Sequence, residues 1–253
     1  MTSAVRAEIL KLRTARLPWG LLALTVALTS LHALLFDSND GGTGHASIPS
    51  LAALAGQQEA INIPGELLLL ATVLGIIVAS GEFRHRTATS TYLATPVRVR
   101  VLGAKAMAAA SVGLIFGLAG AAAATAIGLA FTAAGGHHLV VSGATIARYA
   151  TGAAVGSALL AAAGVAAGSL VRSQVAAIIG TFVWGFVIEQ SVGGIYTSAA
   201  RYLPYTAAAA MAGTRLGSET TPLPFAGAAA LLVGVVAVIS LIAARTAING
   251  DIT

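Results

Sequence analysis

Apolar residues in this chain come in long runs, and polar residues are confined mostly to the stretches between them. A helix that crosses a bilayer needs about 20 apolar residues at 1.5 Å of rise each. Residues 17–36 form such a run, in which only His32 can carry charge. Residues 61–80 form a second, with Glu66 near its start. The third, 102–134, is longer than a crossing requires and holds one charge, Lys105. It is expected to begin in the inner interface, with the Lys105 amine snorkelling to water. Residues 151–171 contain no charge and make a fourth. The fifth run, 175–188, has 14 residues. At about 21 Å it is too short alone, so its helix is carried to about 192. The last, 223–244, is uncharged and ends at Arg245. The pattern predicts an all-α integral membrane protein, one transmembrane domain over 1–253 with about six transmembrane helices.

The segments between the runs carry their own patterns. Over residues 3–16, Val5, Ile9 and Leu12 fall on one helical face. Arg6, Lys11 and Arg13 lie off that stripe, and Arg16 returns to it. This predicts an interfacial N-terminal helix, turned into the first span at Pro18 and Trp19. It is either a positive anchor or a face that also holds a cytoplasmic partner. The apolar core behind it exceeds the 7–15 residues of a secretion signal, and no A-x-A-like site follows, so a retained span is expected. Between spans two and three run Glu82, Phe83, Arg84, His85, Arg86 and Thr87, then Tyr92 and Leu93 to Pro96. Glu82 favours a helix N-terminus and Pro96 limits the helix. A short amphipathic helix here suits a groove on a cytoplasmic subunit; the other reading is an ordinary positive loop. Residues 37–60 read as a polar outer loop without EF-hand spacing. Residues 189–222 hold short apolar pieces, Leu203 to Tyr205 and Ala207 to Met211, broken by Pro204, Gly213 and Gly217. They predict short re-entrant or interfacial helices between spans five and six.

Composition narrows the class. The chain is 57% hydrophobic and 9% charged, where a soluble domain has about a quarter of its residues charged. Its mean hydropathy is +0.87. These values exclude an ordinary soluble enzyme and a disordered chain. With no cysteine there is no disulfide, thiolate nucleophile or Cys-based zinc site. The net charge of +5 is informative through its distribution. Eleven of the 14 basic residues fall in the N-terminal segment, in two alternate links and at the C-terminus. Only Arg148, Arg201 and Arg215 fall on the other side, with six of the nine acids. The positive-inside rule then puts both termini in the cytoplasm, at a cytoplasmic (inner) membrane. The basic residues meet anionic lipid, and no aromatic-interleaved basic patch points to nucleic acid.

Recognisable catalytic motifs are missing. Lys11 and Lys105 are the only lysines and neither follows a glycine, so no phosphate loop exists. H-E-x-x-H and G-x-S-x-G are absent. His137 and His138 are neighbours, and in a helix neighbours diverge by about 100°, so a shared metal needs an extended backbone and further ligands. No chain of intramembrane acids marks a proton path. Glu189-Gln190 is the one polar pair at bilayer depth, either a path or gate element or a helix end meeting water. Gly113/Gly117, Gly152/Gly156 and Gly164/Gly168 each make G-x-x-x-G, which supports close helix packing without choosing a dimer face.

The basic N-terminus ending Lys11-Leu12-Arg13-Thr14-Ala15-Arg16, the six spans, and Glu82 to Thr87 running into Leu93-Ala94-Thr95-Pro96 with Lys105 beyond together resemble permease subunits of the type-2 ATP-binding-cassette (ABC) exporter family. The resemblance covers essentially the whole chain and is most specific at 82–105. It implies a dimer of permeases, self or sibling, above a separate cytoplasmic ATPase dimer that binds ATP and Mg, with no cofactor in this chain. It further implies that residues 3–16 and 82–96 transmit the ATPase motion, and that short helices at about 190–220 dip into the membrane. A nearly charge-free path suits a lipid, drug or amphiphile better than a highly charged solute. The competing readings are a gradient-driven secondary carrier and a non-transporting membrane anchor or enzyme.

Overall fold

The computed structural model describes residues 2–37, 50–62, 65–84, 98–171, 173–214 and 221–249. Among them every regular element is helical. Alanine and leucine dominate the runs, and both propagate a helix at little side-chain entropy cost. The elements are α1 (Thr2–Thr14), α2 (Arg16–Asp37), α3 (Leu54–Ala60), α4 (Gly65–Arg84), α5 (Arg98–Ala134) and α6 (Gly143–Val171). Then follow α7 (Gln174–Phe182), a π-helical turn (Val183–Ile188), α8 (Glu189–Ile195), α9 (Thr197–Ala200), α10 (Pro204–Met211) and α11 (Phe225–Asn249). Among the described residues five stretches are long and apolar enough to cross a membrane: Arg16–Leu35, Val99–Ala134, Gly143–Val171, Gln174–Ile195 and Phe225–Thr246. The helix over the second run, α4, has 20 residues, with an apolar stretch at Leu68–Gly81.

Two expectations about these runs change. The fifth span, expected over about 175–192, extends slightly further: α7, the π turn and α8 make one 22-residue stretch, Gln174–Ile195, about 33 Å long and enough for the hydrocarbon core. The bend into the first span lies at Ala15, between α1 and α2. Pro18 sits within the first turn of α2, where its missing N–H has no intrahelical acceptor to lose.

Helix α6 is the central post, packed against α4, α5, α10 and α11. Ala153, Ala161 and Val165 on it are fully buried. Its glycines explain the closeness. A Cβ on Gly164 would meet the backbone of Thr72 in α4, and one on Gly168 would meet Ile76. Gly75 of α4 presses back on Ala161 and Val165. Gly113 and Gly117 of α5 lie on Ser157 and Ala153, and Gly152 lies on Met211 of α10. All three G-x-x-x-G pairs are thus used inside the chain. The short helix α10 ends in a left-handed Gly213 (φ +97°). There Thr214 N donates to Ala209 O and Gly213 N to Ala210 O, the Schellman arrangement that a residue with a Cβ adopts only under strain.

Candidate functional site

The N-terminal helix is tied to the bundle through a charge. Val5, Glu8, Ile9 and Leu12 share one face, and this face turns inward: Glu8 is 6% exposed, Leu12 is buried, and Val5 and Ile9 are half-buried. Lys11, Arg13 and Arg16 face outward, Arg16 opening α2. Glu8 Oε2 lies 2.9 Å from Lys105 Nζ, and Glu8 Oε1 lies 2.7 Å from Lys11 Nζ. Lys105 belongs to the second turn of α5 and is 5% exposed. The expectation that it snorkels to water is therefore wrong. An ammonium beside a carboxylate in a dry contact keeps its charge by pairing, and no longer needs to reach solvent. Burial opposes ionisation of Glu8, but the charge of Lys105 and the hydrogen bonds from both lysines prevail and hold its carboxyl below the ordinary value of 4.5. The signal was present in the sequence: Glu8 is the lone acid on the apolar stripe of a basic helix, and Lys105 the lone charge in an apolar run.

A second buried acid organises the other half of the chain. Glu189 is 4% exposed, and both its oxygens are engaged. Oε1 accepts from Trp184 Nε1 (2.9 Å) and Tyr205 N (3.1 Å). Oε2 accepts from Thr206 N (2.9 Å) and Thr206 Oγ1 (3.0 Å). Tyr205 and Thr206 are the second and third residues of α10, behind Pro204. Their N–H groups have no acceptor within the helix, and Pro204 has no N–H to satisfy. Leu203, in the capping position, has no side-chain acceptor, so a carboxylate from another helix supplies the cap and meets the positive end of the helix dipole. Tyr205 extends the tie by donating from its hydroxyl to Thr72 Oγ1 of α4 (3.1 Å). Of the polar pair Glu189-Gln190, only Glu189 turns inward; Gln190 is exposed.

At the far end of α5 from Lys105, Gln57 of α3 is fully buried. Its Nε2 donates to Leu51 O (3.0 Å) and His138 O (2.8 Å), and its Oε1 accepts from Val140 N (2.8 Å) and Val141 N (2.9 Å). Every hydrogen-bonding position of the amide is used. The stretch read as a polar outer loop therefore ends in a packed helix. Nothing in the apolar periodicity singled out Gln57, Trp184, Tyr205 or Thr206.

Of the link residues, Glu82, Phe83 and Arg84 form the last turn of α4. His85, Arg86, Tyr92 and Pro96 lie outside the described residues. No protein-family model matches the chain, and no curated protein matches it.

Proposed function

We propose that this chain is the membrane-spanning permease subunit of an ATP-driven exporter of the type-2 ABC kind. It works as a dimer with itself or a sibling, above a cytoplasmic ATPase dimer that binds ATP and Mg. In this reading α4 is the second of six spans, both termini are cytoplasmic, and α9 and α10 are short re-entrant helices, α10 capped by Glu189. The observation that carries it is the buried pair between Glu8 and Lys105. It joins the interfacial helix to the start of α5, the helix that immediately follows the basic link. The interfacial helix that the resemblance assigns to coupling is thus fixed to the helix that follows the other assigned segment, 82–96. ATP-driven closure of the partner moves the permease only through contacts that differ between its states. Glu82, Phe83, Arg84 and Arg86 are the contacts assigned to the partner. An apolar interior favours a lipid, drug or amphiphile as cargo.

The test is purification of the tagged chain from its native membranes in mild detergent. A soluble subunit that hydrolyses Mg-ATP is expected to come with it, and to be lost when residues 82–87 are replaced by Ala and Ser. If no ATPase accompanies the chain, and the chain alone in liposomes moves a lipophilic dye under a proton or sodium gradient, the secondary-carrier reading replaces this one.

A further inference from the structure

Helix α1 has 13 residues, and it lies at the start of the much longer α5. Around Lys105 the buried positions of α5 are Val101, Ala104, Ala108 and Ala109. Ala109 among them packs inward with Ala161 and Val165 of α6, and small side chains in general leave shallow ridges that fix helix register weakly. The pair of Glu8 with Lys105 supplies a directional tie between α1 and α5. A buried pair contributes little net stability compared with apolar residues of the same size, yet breaking it leaves a buried charge. Its value is therefore directional: it fixes one translation and one rotation of α1 on α5. Lys11 occupies the second carboxylate oxygen from the same helix, which holds the Glu8 side chain in the rotamer that meets Lys105.

We propose that Glu8 and Lys105 are positioning residues that make α1 and the base of α5 move as one body. A displacement received by either is thereby passed to the membrane core. The role in transmission rests on the exporter reading above; the rigid joint itself does not.

The chain has no cysteine, so paired spin labels can be placed without background. Leu10→Cys and Met107→Cys are suitable, since these side chains are 62% and 52% exposed. In the full chain reconstituted in nanodiscs, the inter-label distance is expected to be one narrow population. Lys105→Met and Glu8→Gln are expected to broaden it, and the exchange Glu8→Lys with Lys105→Glu to narrow it again. An unchanged distribution in Lys105→Met overturns the joint. With the ATPase bound, transport per ATP hydrolysed is expected to fall about ten-fold in Lys105→Met, with hydrolysis retained and coupling restored by the exchange. Broadened distances with unaltered coupling overturn the transmission role. If the unmodified chain recruits no ATPase, the exporter reading fails, while the label distances still decide the joint.

Discussion

Trp184 and Glu189 are bonded to each other twice. The Glu189 backbone N–H donates to Trp184 O, and Trp184 Nε1 donates to Glu189 Oε1 at 2.9 Å. In an α-helix, residues five apart point about 140° away from each other. The π turn over Val183–Ile188 closes its bonds at that spacing and brings the two onto one face. The wider turn is thus what aims Glu189 at the start of α10.

Removing either partner is expected to loosen α10 to different degrees. Trp184→Phe deletes one of four donors to the carboxylate, and should cost about 1.5–3 kcal/mol at most, the range for a hydrogen bond to a charged group. Glu189→Leu leaves the N–H groups of Tyr205 and Thr206 without an acceptor in a buried setting, at about 1–3 kcal/mol for each. Thermal denaturation in detergent should therefore rank wild type above Trp184→Phe, and Trp184→Phe above Glu189→Leu. Hydrogen exchange at Tyr205 and Thr206 should accelerate most in Glu189→Leu.

Docking of α1 should depend on pH in one direction. The Glu8 carboxyl is held below its ordinary value, so the folded state binds its proton less readily than the unfolded chain. The stabilisation is fully present above the unfolded value of 4.5 and is lost as pH falls through the lower, folded value. Proteolysis of α1 in nanodiscs is expected to be constant from about pH 5 to 8 and to increase below about pH 4. Glu8→Gln should remove this acid-dependent step. An identical acid profile in Glu8→Gln would assign the loss of docking to other carboxylates.

Much of this architecture was legible because it rests on local composition. The long apolar runs became helices at nearly the positions their lengths dictate, α2 most closely, while α6 begins eight residues before its uncharged run. What escaped depends on partners distant in sequence. The fifth run looked short because Glu189, Gln190 and Ser191 end its hydropathy; the helix continues because Glu189 is satisfied by α10. Lys105 looked like a snorkelling side chain because Glu8, 97 residues away, is invisible to any local window. The same holds for Gln57, whose partners His138, Val140 and Val141 lie 81 to 84 residues on. Its neighbours have no helical or strand period to betray a buried amide. The glycine pairs were legible as contacts, but their partners inside the chain were not.

Those glycines give a steric prediction with an internal control. A side chain at Gly164 would run into the backbone of Thr72, which cannot swing aside as a flexible side chain would. Gly164→Leu should separate α4 from α6 and cost more than the usual 1–3 kcal/mol of overpacking. Gly180 has open space where its Cβ would be, so Gly180→Ala should leave the melting temperature near wild type. If Gly164→Leu folds and melts normally, the α4–α6 contact is not as close as the backbone places it.

Gln57 offers the sharpest chemical discrimination, because even its nearly isosteric replacement should be damaging, and in a pH-dependent way. Gln57→Leu removes four hydrogen bonds and leaves Val140 N, Val141 N and two carbonyls to find water or go without. Gln57→Glu keeps the acceptor for the two N–H groups. It replaces the donating Nε2 with an oxygen facing Leu51 O and His138 O, 3.0 and 2.8 Å from the present nitrogen. An ionised carboxylate there is repelled by both carbonyls, and a protonated one donates to only one of them. Both variants should therefore free α3, with Gln57→Glu improving as pH is lowered and Gln57→Leu indifferent to it. Amide exchange at Val140 and Val141, followed at pH 5 and pH 8, distinguishes the two. Equal protection in Gln57→Glu at both pH values would mean that the Gln57 amide nitrogen does not hold those carbonyls.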